Sequence, residues 1–502
     1  VASRFKKAQD SSVLRKAERF ARFTLPSLMA KRVQGTAQVF EGDFQSVGAL
    51  LVNNLTAKLG TALFPAGRPF FKVTLSEELL RQAGTDVASI RTGAAELERL
   101  STVQLFKNAS LAKLHRAISL AIVTGNFLLY RDQVKQRFLV WNLNSYSVKR
   151  NAYGDVDEVI LKQDMKFKDL EPELQQEYLA KHFQKKPDDN VEYYTEIVYD
   201  RTGDVPIAFI AQSVDDVSVG EVAEYPEHIC PYVAVAWNLA QGEHYGRGYV
   251  EDYSSDFHYL SVLSEELALY EIESLSMLNL VDEAAGGVID DYSEATTGQF
   301  VPGKVGSITT YDRGDYNKIG TISARLEEVK QRLSRAFMYT GHQRDAERVT
   351  AEEVRTLAQE AENLLGGAYS VLAEGLQAPL AYLCMYEVAQ ESDIAALTYG
   401  VLSRNYHPEI LTGIPALTQA AETQNLIRAT QELVQIIPAL MEFTNRFDND
   451  KIIEMVFANN AIPIESISKS PEQLEQEAEA AQQQADAETA AIAAGIEEGE
   501  MQ

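Results

Sequence analysis

Only two cysteines, Cys230 and Cys384, occur in 502 residues, and neither belongs to a C-x-x-C pair. That excludes a disulfide scaffold and a thiolate metal site, and it fits a reducing compartment. No apolar run approaches the roughly 20 residues needed to span a bilayer. His115, His182, His228, His244, His258, His342 and His407 are dispersed, with no H-x-x-x-H pair among them. There is no G-x-S-x-G elbow, and no cysteine carries a nucleophile signature. The sequence therefore supports neither catalysis nor a metal or other cofactor.

Positive charge is also scarce. The chain has 46 Lys and Arg against 73 Asp and Glu, a formal charge of −27, which argues against a surface coated for nucleic acid. The shortage is uneven. From Gly248 through Gly303 there is no base but twelve acids, and after Lys469 nine acids follow without a base. Val1 to Gln34 reverses the trend, with nine bases against Asp10 and Glu18. Such a terminus has the look of a transit peptide, but those two acids and a helix pattern running past Phe20 weaken that reading. The chain opens on Val1, so a short preceding segment is expected.

What is present is mostly helical periodicity, with 45% hydrophobic residues and a length suited to about two to four domains. Val13 to Leu28 and Phe44 to Phe64 predict amphipathic helices. In the second, Val47, Leu50, Leu51, Leu55, Leu59 and Leu63 recur at helical steps before Pro65. The run "LHRAISLAIVTGNFLLY" (114–130) is more apolar and predicts a buried element. "RFLVWNL" predicts a strand, and "YSVKRNAYGDVDEVIL" gives two strands about a Tyr-Gly-Asp turn. Pro172 fits the first position of a helix over 171–184. "VEYYTEIVYDRTGDVPIAFIA" predicts a hairpin, and "HICPYVAVAWNL" a further strand. Helices are again predicted beyond Gly248, over Ser323 to Phe337, and over 418–447 and 472–494. The last is Ala/Gln/Glu-rich, with the composition of a mobile tail.

"GQFVPGKV" (298–305) has the spacing of a phosphate-binding loop. Val305, however, follows Lys304 where Ser or Thr should hold magnesium, Pro302 lacks an amide donor, and "SITTY" predicts a strand where a helix is required. A β-turn explains it better.

"GHQRDAERVTAEEVRTLAQEAENLLGG" (341–367) poses a sharper question. Thr350 and Glu353 form a capping box, with Val349 and Val354 at the staple positions, so a helix start is fixed locally. The cap alone contributes about 1 kcal/mol. In front of it lie nine polar or small residues carrying Arg344 and Arg348. Taken singly, these arginines suit surface salt bridges with Asp345 or Glu347. The acidic segment before them suits an ordinary solvated face.

Together with "FQSVGALLVNNLTAKLGTALFP", "CPYVAVAWNLAQGEHYGRGYVEDY" and "FVPGKVGSI", the string "ERVTAEEVRTLAQEAENLLGGAYSVLAEGLQAPL" resembles the portal, or head-to-tail connector, proteins of short-tailed bacteriophages. The likeness runs in order from about Ala17 to Pro379. It implies an α+β, mainly α, portal fold assembled as a ring, usually of about twelve subunits. It implies a first part of the wing over 1–165, a first stem helix over 166–189, a β-rich clip over 190–245 and a second stem helix over 246–281. The second part of the wing follows over 282–400 with a tunnel loop near 340–349, then a crown over 401–470 and an acidic tail over 471–502.

On the same resemblance the ring sits at one capsid vertex, passes double-stranded DNA during packaging, retention and ejection, and is no enzyme. It meets the major capsid and scaffolding proteins, the packaging terminase, the tail adaptor and internal core proteins. It is a virion component assembled in the host cytoplasm, without membrane binding of its own. Arg344 and Arg348 would then form collars at the channel constriction, with Arg348 favoured because it lies inside the matching string. Glu265, Glu266, Glu271 and Glu273 would line an acidic stem. DNA carries one charge per roughly 1.7 Å, so an acidic stem with one basic collar lets it slide and still holds it. The other classes to weigh are a membrane-surface or scaffolding protein using the basic amino terminus, and a nucleotide-driven motor, which the broken phosphate loop disfavours.

Overall fold

In the computed structural model, the described residues are 1–31, 42–65, 69–76, 87–108, 110–181, 184–203, 205–274, 277–281, 308–312, 316–339, 367–392 and 395–410, with single positions between them. They lie within one compact unit, Val1–Gly413. The fold mixes helices with antiparallel sheets, helix being the larger share. The predicted helices at 418–447 and 472–494 lie outside the described residues, as do the capping box at Thr350 and the turn at 298–305.

The basic amino terminus folds as α1 (Ala2–Ala8) and α2 (Ser11–Phe23), broken at Asp10. Asp10 caps α2, accepting from the Ser12 and Val13 amides at 2.8 and 3.4 Å. Bonds from the Ser12 hydroxyl and amide hold its carboxyl below the usual range. Next, α3 (Val47–Leu63) buries Leu51, Val52, Leu55, Leu59 and Leu63. Leu50 departs from the predicted row and is 47% exposed. The buried stripe is centred on Leu51, Leu55 and Leu59 and extends on the Val52 side, which leaves Leu50, about 100° from Leu51 on the other side, outside it.

Strand β1 (Phe71–Leu75) and α4 (Val87–Phe106) lead to α5 (Ser110–Thr124), which runs into β2 (Asn126–Asp132). The apolar run 114–130 is thus two elements. Gly125 makes the switch with φ +74°, and a Cβ there would lie 2.4 Å from the Arg247 carbonyl carbon. Only glycine tolerates both demands. Helices α3 and α5 approach closely at Gly60, against the His115 ring.

The predicted strands form β3 (Arg137–Trp141), β4 (Tyr146–Arg150), β5 (Val156–Lys166), β6 (Asn190–Asp200), β7 (Ile207–Val214), β8 (Val217–Pro226) and β9 (Tyr232–Ala236). Their grouping differs from the expected insert. A five-stranded antiparallel sheet runs in the order β4-β5-β6-β7-β8, while β9 joins a separate sheet, β3-β2-β9. The long ladder between β5 and β6, from Glu158↔Val198 to Lys166↔Asn190, carries β5 one residue past the 165 boundary and pairs the expected wing directly with the expected clip. Between these strands the expected first stem helix is only α6 (Pro172–Lys181). It lays Leu174 and Tyr178 on Phe167, Val191, Val214 and Val219, and so serves as a cover for the sheet.

The chain then enters a single helical turn, Tyr249–Asp252, and α7 (Ser254–Ser274), followed by the antiparallel pair β10 (Met277–Val281) and β11 (Ile308–Asp312). Helix α8 (Tyr316–Ala336) returns alongside α7. The two helices are equally long at 21 residues each. They flank a small β element in the way the sequence reading expected of 166–189 and 246–281. Finally come α9 (Gly367–Leu372), a π turn at Ala373–Gln377, α10 (Ala378–Glu391), α11 (Ala395–Leu402) and β12 (Tyr406–Ile410), which pairs with β1. One hydrophobic core joins α2, α3, α5, the three-stranded sheet, the start of α7, the end of α8, and α10.

Candidate functional site

The root of α7 is fixed by backbone recognition. The Asn126 side chain is buried; it donates to the Gly246 carbonyl at 2.6 Å and accepts from the Gly246 amide at 2.7 Å. Gly248 packs so tightly on the end of α5 that a Cβ would lie 2.6 Å from the Val123 carbonyl oxygen. Above this clamp Tyr249, Tyr253 and Phe257 surround Phe337, with ring centroids 5.1, 5.6 and 5.6 Å away. The Tyr249 hydroxyl also donates to the Ala336 carbonyl at 2.9 Å. Arg332 grips Asp256 through two bonds, at 3.0 and 2.5 Å. The start of α7 is thereby joined to the end of α8, and the two run antiparallel.

This junction also mounts the segment that carries the two arginines. Phe337 is fully buried, its carbonyl accepts from Asn54 at 3.0 Å, and the Met338 carbonyl accepts from Lys58 at 2.5 Å. On the far side of the segment Leu372 and Leu376 are fully buried, and Gln377 donates to the Leu63 carbonyl at 2.5 Å. Residues 340–366, and with them Arg344 and Arg348, lie outside the described residues. Their mount is built from the core on both sides.

All four predicted acids lie on α7. Glu265 is half-buried, while Glu266, Glu271 and Glu273 are exposed. At 3.6 residues per turn, Glu266 and Glu273 point within about 20° of each other, whereas Glu271 points about 140° away. The helix thus gathers two of the four on one face. That face carries something the charge count missed. Tyr259, Val262 and Leu269 are 47%, 42% and 55% exposed within about 60° of Glu266, and Ile272, 69% exposed, lies about 120° round from it. The buried row of α7 is Phe257 and Leu260, with Leu263 and Leu267 partly buried behind them. The outer apolar row was legible as a second set of helical steps, but it was hidden because both sets fall on one weakly amphipathic helix.

Among the described residues no group of three or more His, Cys, Asp or Glu could hold a metal. No helix there is long and apolar enough to cross a membrane.

Comparison with known proteins now decides the family. The model of bacteriophage head-to-tail connecting proteins matches residues 1–467. The chain belongs to that family. A portal protein of Pseudomonas phage phiKMV is 45% identical over 484 residues, covering 96% of this chain and 94% of that one. Portal proteins of Enterobacteria phage T3 and Escherichia phage T7 are 31% and 29% identical, each over 84% of this chain and 79% of theirs. Among solved structures, the neck of an empty gene transfer agent particle aligns over 84% of this chain and 90% of its own, at 13% identity and a TM-score of 0.34. That likeness is too loose to carry an argument. The connector is a phage head-to-tail protein of the short-tailed type, as the sequence resemblance implied, and portal proteins are components of the virion.

Proposed function

We propose that this connector is the subunit of a portal ring, of twelve copies, at one capsid vertex, with an axial channel for double-stranded DNA. The observation that carries the channel is α7: a helix of 21 residues without a base, braced along its inner side and presenting Glu266 and Glu273 outward. On this reading α7 and α8 are the two stem helices, and β10 and β11 belong to the clip between them. The earlier sheet and its neighbours form the wing, and the crown lies beyond 410. Leu269 and Ile272, turned about 60° and 120° from Glu266 around the helix, form an exposed apolar flank that supports a ring, because a neighbouring subunit can cover it while the two acids stay open. Head-to-tail contacts that repeat this cover close when the rotation fits.

Arg344 and Arg348 form the basic collar, repeated around the axis and held by the Phe337 mount. Capsid and scaffolding proteins, terminase, tail adaptor and internal core proteins are the partners of such a ring, which assembles in the host cytoplasm. Axial class averages by electron microscopy test the proposal. A closed ring with a central hole is expected, and a monomer at micromolar concentration would overturn it.

A further inference from the structure

The five-stranded sheet contains a gap that no element of the described chain fills. Strand β4 ends its pairing with β5 at Tyr146↔Leu161, and the last bond is Lys162 N–H to the Ser145 carbonyl at 2.7 Å. Strand β5 continues to Lys166, paired with β6 on the other side only. Backbone groups on a strand alternate sides. Asp164, two residues past Lys162, therefore aims its N–H and C=O at the side where β4 is missing. Among the described residues no backbone bond reaches them, and Asp164 is exposed.

This open edge borders a groove of about 830 Å³. Phe5 of α1, Leu14 of α2, Met165 and Tyr194 supply apolar lining, and Lys6, Arg15 and Lys31 supply the charged rim. These three bases are in no ion pair with a described residue. In a chain of charge −27, a groove rimmed by three bases that form no ion pair among the described residues stands out as a site that attracts negative charge. Glu18 and Asp164 also line it. They repel a continuous phosphate backbone more than a peptide, which can stagger its acids around them.

We infer that this groove is a docking site for an extended acidic segment of a partner protein, with apolar residues at alternate positions, which adds as a strand beside β5 in line with β4. Main-chain bonds to Asp164 give register, the apolar lining takes the inward side chains, and the rim takes the carboxylates. Edge strands left open are usually blunted, and elsewhere this sheet obeys that rule. At β8 the Glu177 carboxylate takes the Gly220 amide at 2.6 Å and Lys181 donates to the Ser218 carbonyl at 2.8 Å. Among the described residues the edge at Asp164 has no such cover.

The test uses the full chain and fluorescein-labelled decapeptides of alternating glutamate and valine. Binding of this peptide is expected, with at least a tenfold loss when its alternate amides are N-methylated or its valines become serine. The combined variant Lys6→Glu, Arg15→Glu, Lys31→Glu should lose at least tenfold with unchanged sedimentation. Asp164→Pro should lose as much while keeping the fold, since that N–H bonds nothing among the described residues and proline is tolerated on edges. Equal binding of the N-methylated peptide overturns strand addition. A DNA duplex binding as tightly and as sensitively to the triple variant would make the groove a nucleic-acid patch. Altered assembly of the triple variant would make it a subunit contact. Either result, or no peptide binding at all, defeats the inference.

Discussion

Arg131 on β2 and Glu387 on α10 form a doubly bonded pair inside the core, Nε to Oε1 and Nη2 to Oε2, both at 2.8 Å. Arg131 is 1% and Glu387 4% exposed, and the guanidinium lies 4.6 Å from the Phe138 ring centroid. Gln104 adds a bond to Glu387 at 3.2 Å. Burial lowers the Arg131 pKa, but the Glu387 bonds outweigh it and the net direction is upward. The pair ties the three-stranded sheet to the helix after the arginine-bearing segment.

Breaking this pair should be costly. Glu387→Leu alone leaves a buried guanidinium unpaired, a loss of about 3–5 kcal/mol. Adding Arg131→Met should recover part of that loss, because both charges are then gone from the core. Urea unfolding of the two variants checks the order. Equal stability of Glu387→Leu and the wild type would show that the pair is solvated.

The two cysteines should be silent in the native protein. Burial pushes the Cys384 thiol up to about 12 and the Cys230 thiol up to about 11. Both stay protonated at pH 8, and thiolate is the reactive form. Ellman's reagent should find no thiol in the folded chain and both after denaturation. Because the folded values lie above the unfolded value of about 8.5, these groups stabilise the fold fully below that pH. Their contribution falls as pH rises toward 11.

Replacing Glu266 and Glu273 together by Gln should raise duplex DNA affinity of the assembled protein severalfold at low salt. Glu271→Gln should change it little, since that side chain points elsewhere on α7. The gain should fade as salt rises, with screening over about 8 Å at physiological ionic strength. Fluorescence anisotropy across a salt series measures both trends. If Glu271→Gln matched the double variant, the face chosen on α7 would be wrong.

Arg348→Glu should leave folding and assembly intact and abolish DNA packaging or retention, because one change reverses the collar's sign in every subunit. Arg348→Ala should be milder, and Arg344→Glu intermediate. A surface bridge of Arg348 to Glu347 or Glu352 is worth less than about 1 kcal/mol and predicts normal packaging for both Arg348 variants. Heads filled with full-length DNA at wild-type yield by Arg348→Glu rings would sink the collar.

Local chemistry was legible in the sequence. The Tyr-Gly-Asp and Asp-Arg-Thr-Gly-Asp hairpins, the stop at Pro65, Pro172 opening a helix and the strand "SITTY" all depend on neighbours within a few residues. The absence of bases from Gly248 through Gly303 is a property of composition and needs no fold. The family was legible too, in a string of residues kept in order.

What the sequence could not decide was which elements share a surface. That β5 pairs with β6 across α6 depends on a ladder between segments separated by a helix. That α7 pairs with α8 depends on Phe337 meeting Tyr249, Tyr253 and Phe257 from far along the chain. Leu50 turned outward because the core took the neighbour of Leu51 on the other side, Val52. The outer apolar row of α7 became visible only once the inner row had been buried. Periodicity reports that a face exists, and only tertiary contacts say which of two faces the core takes.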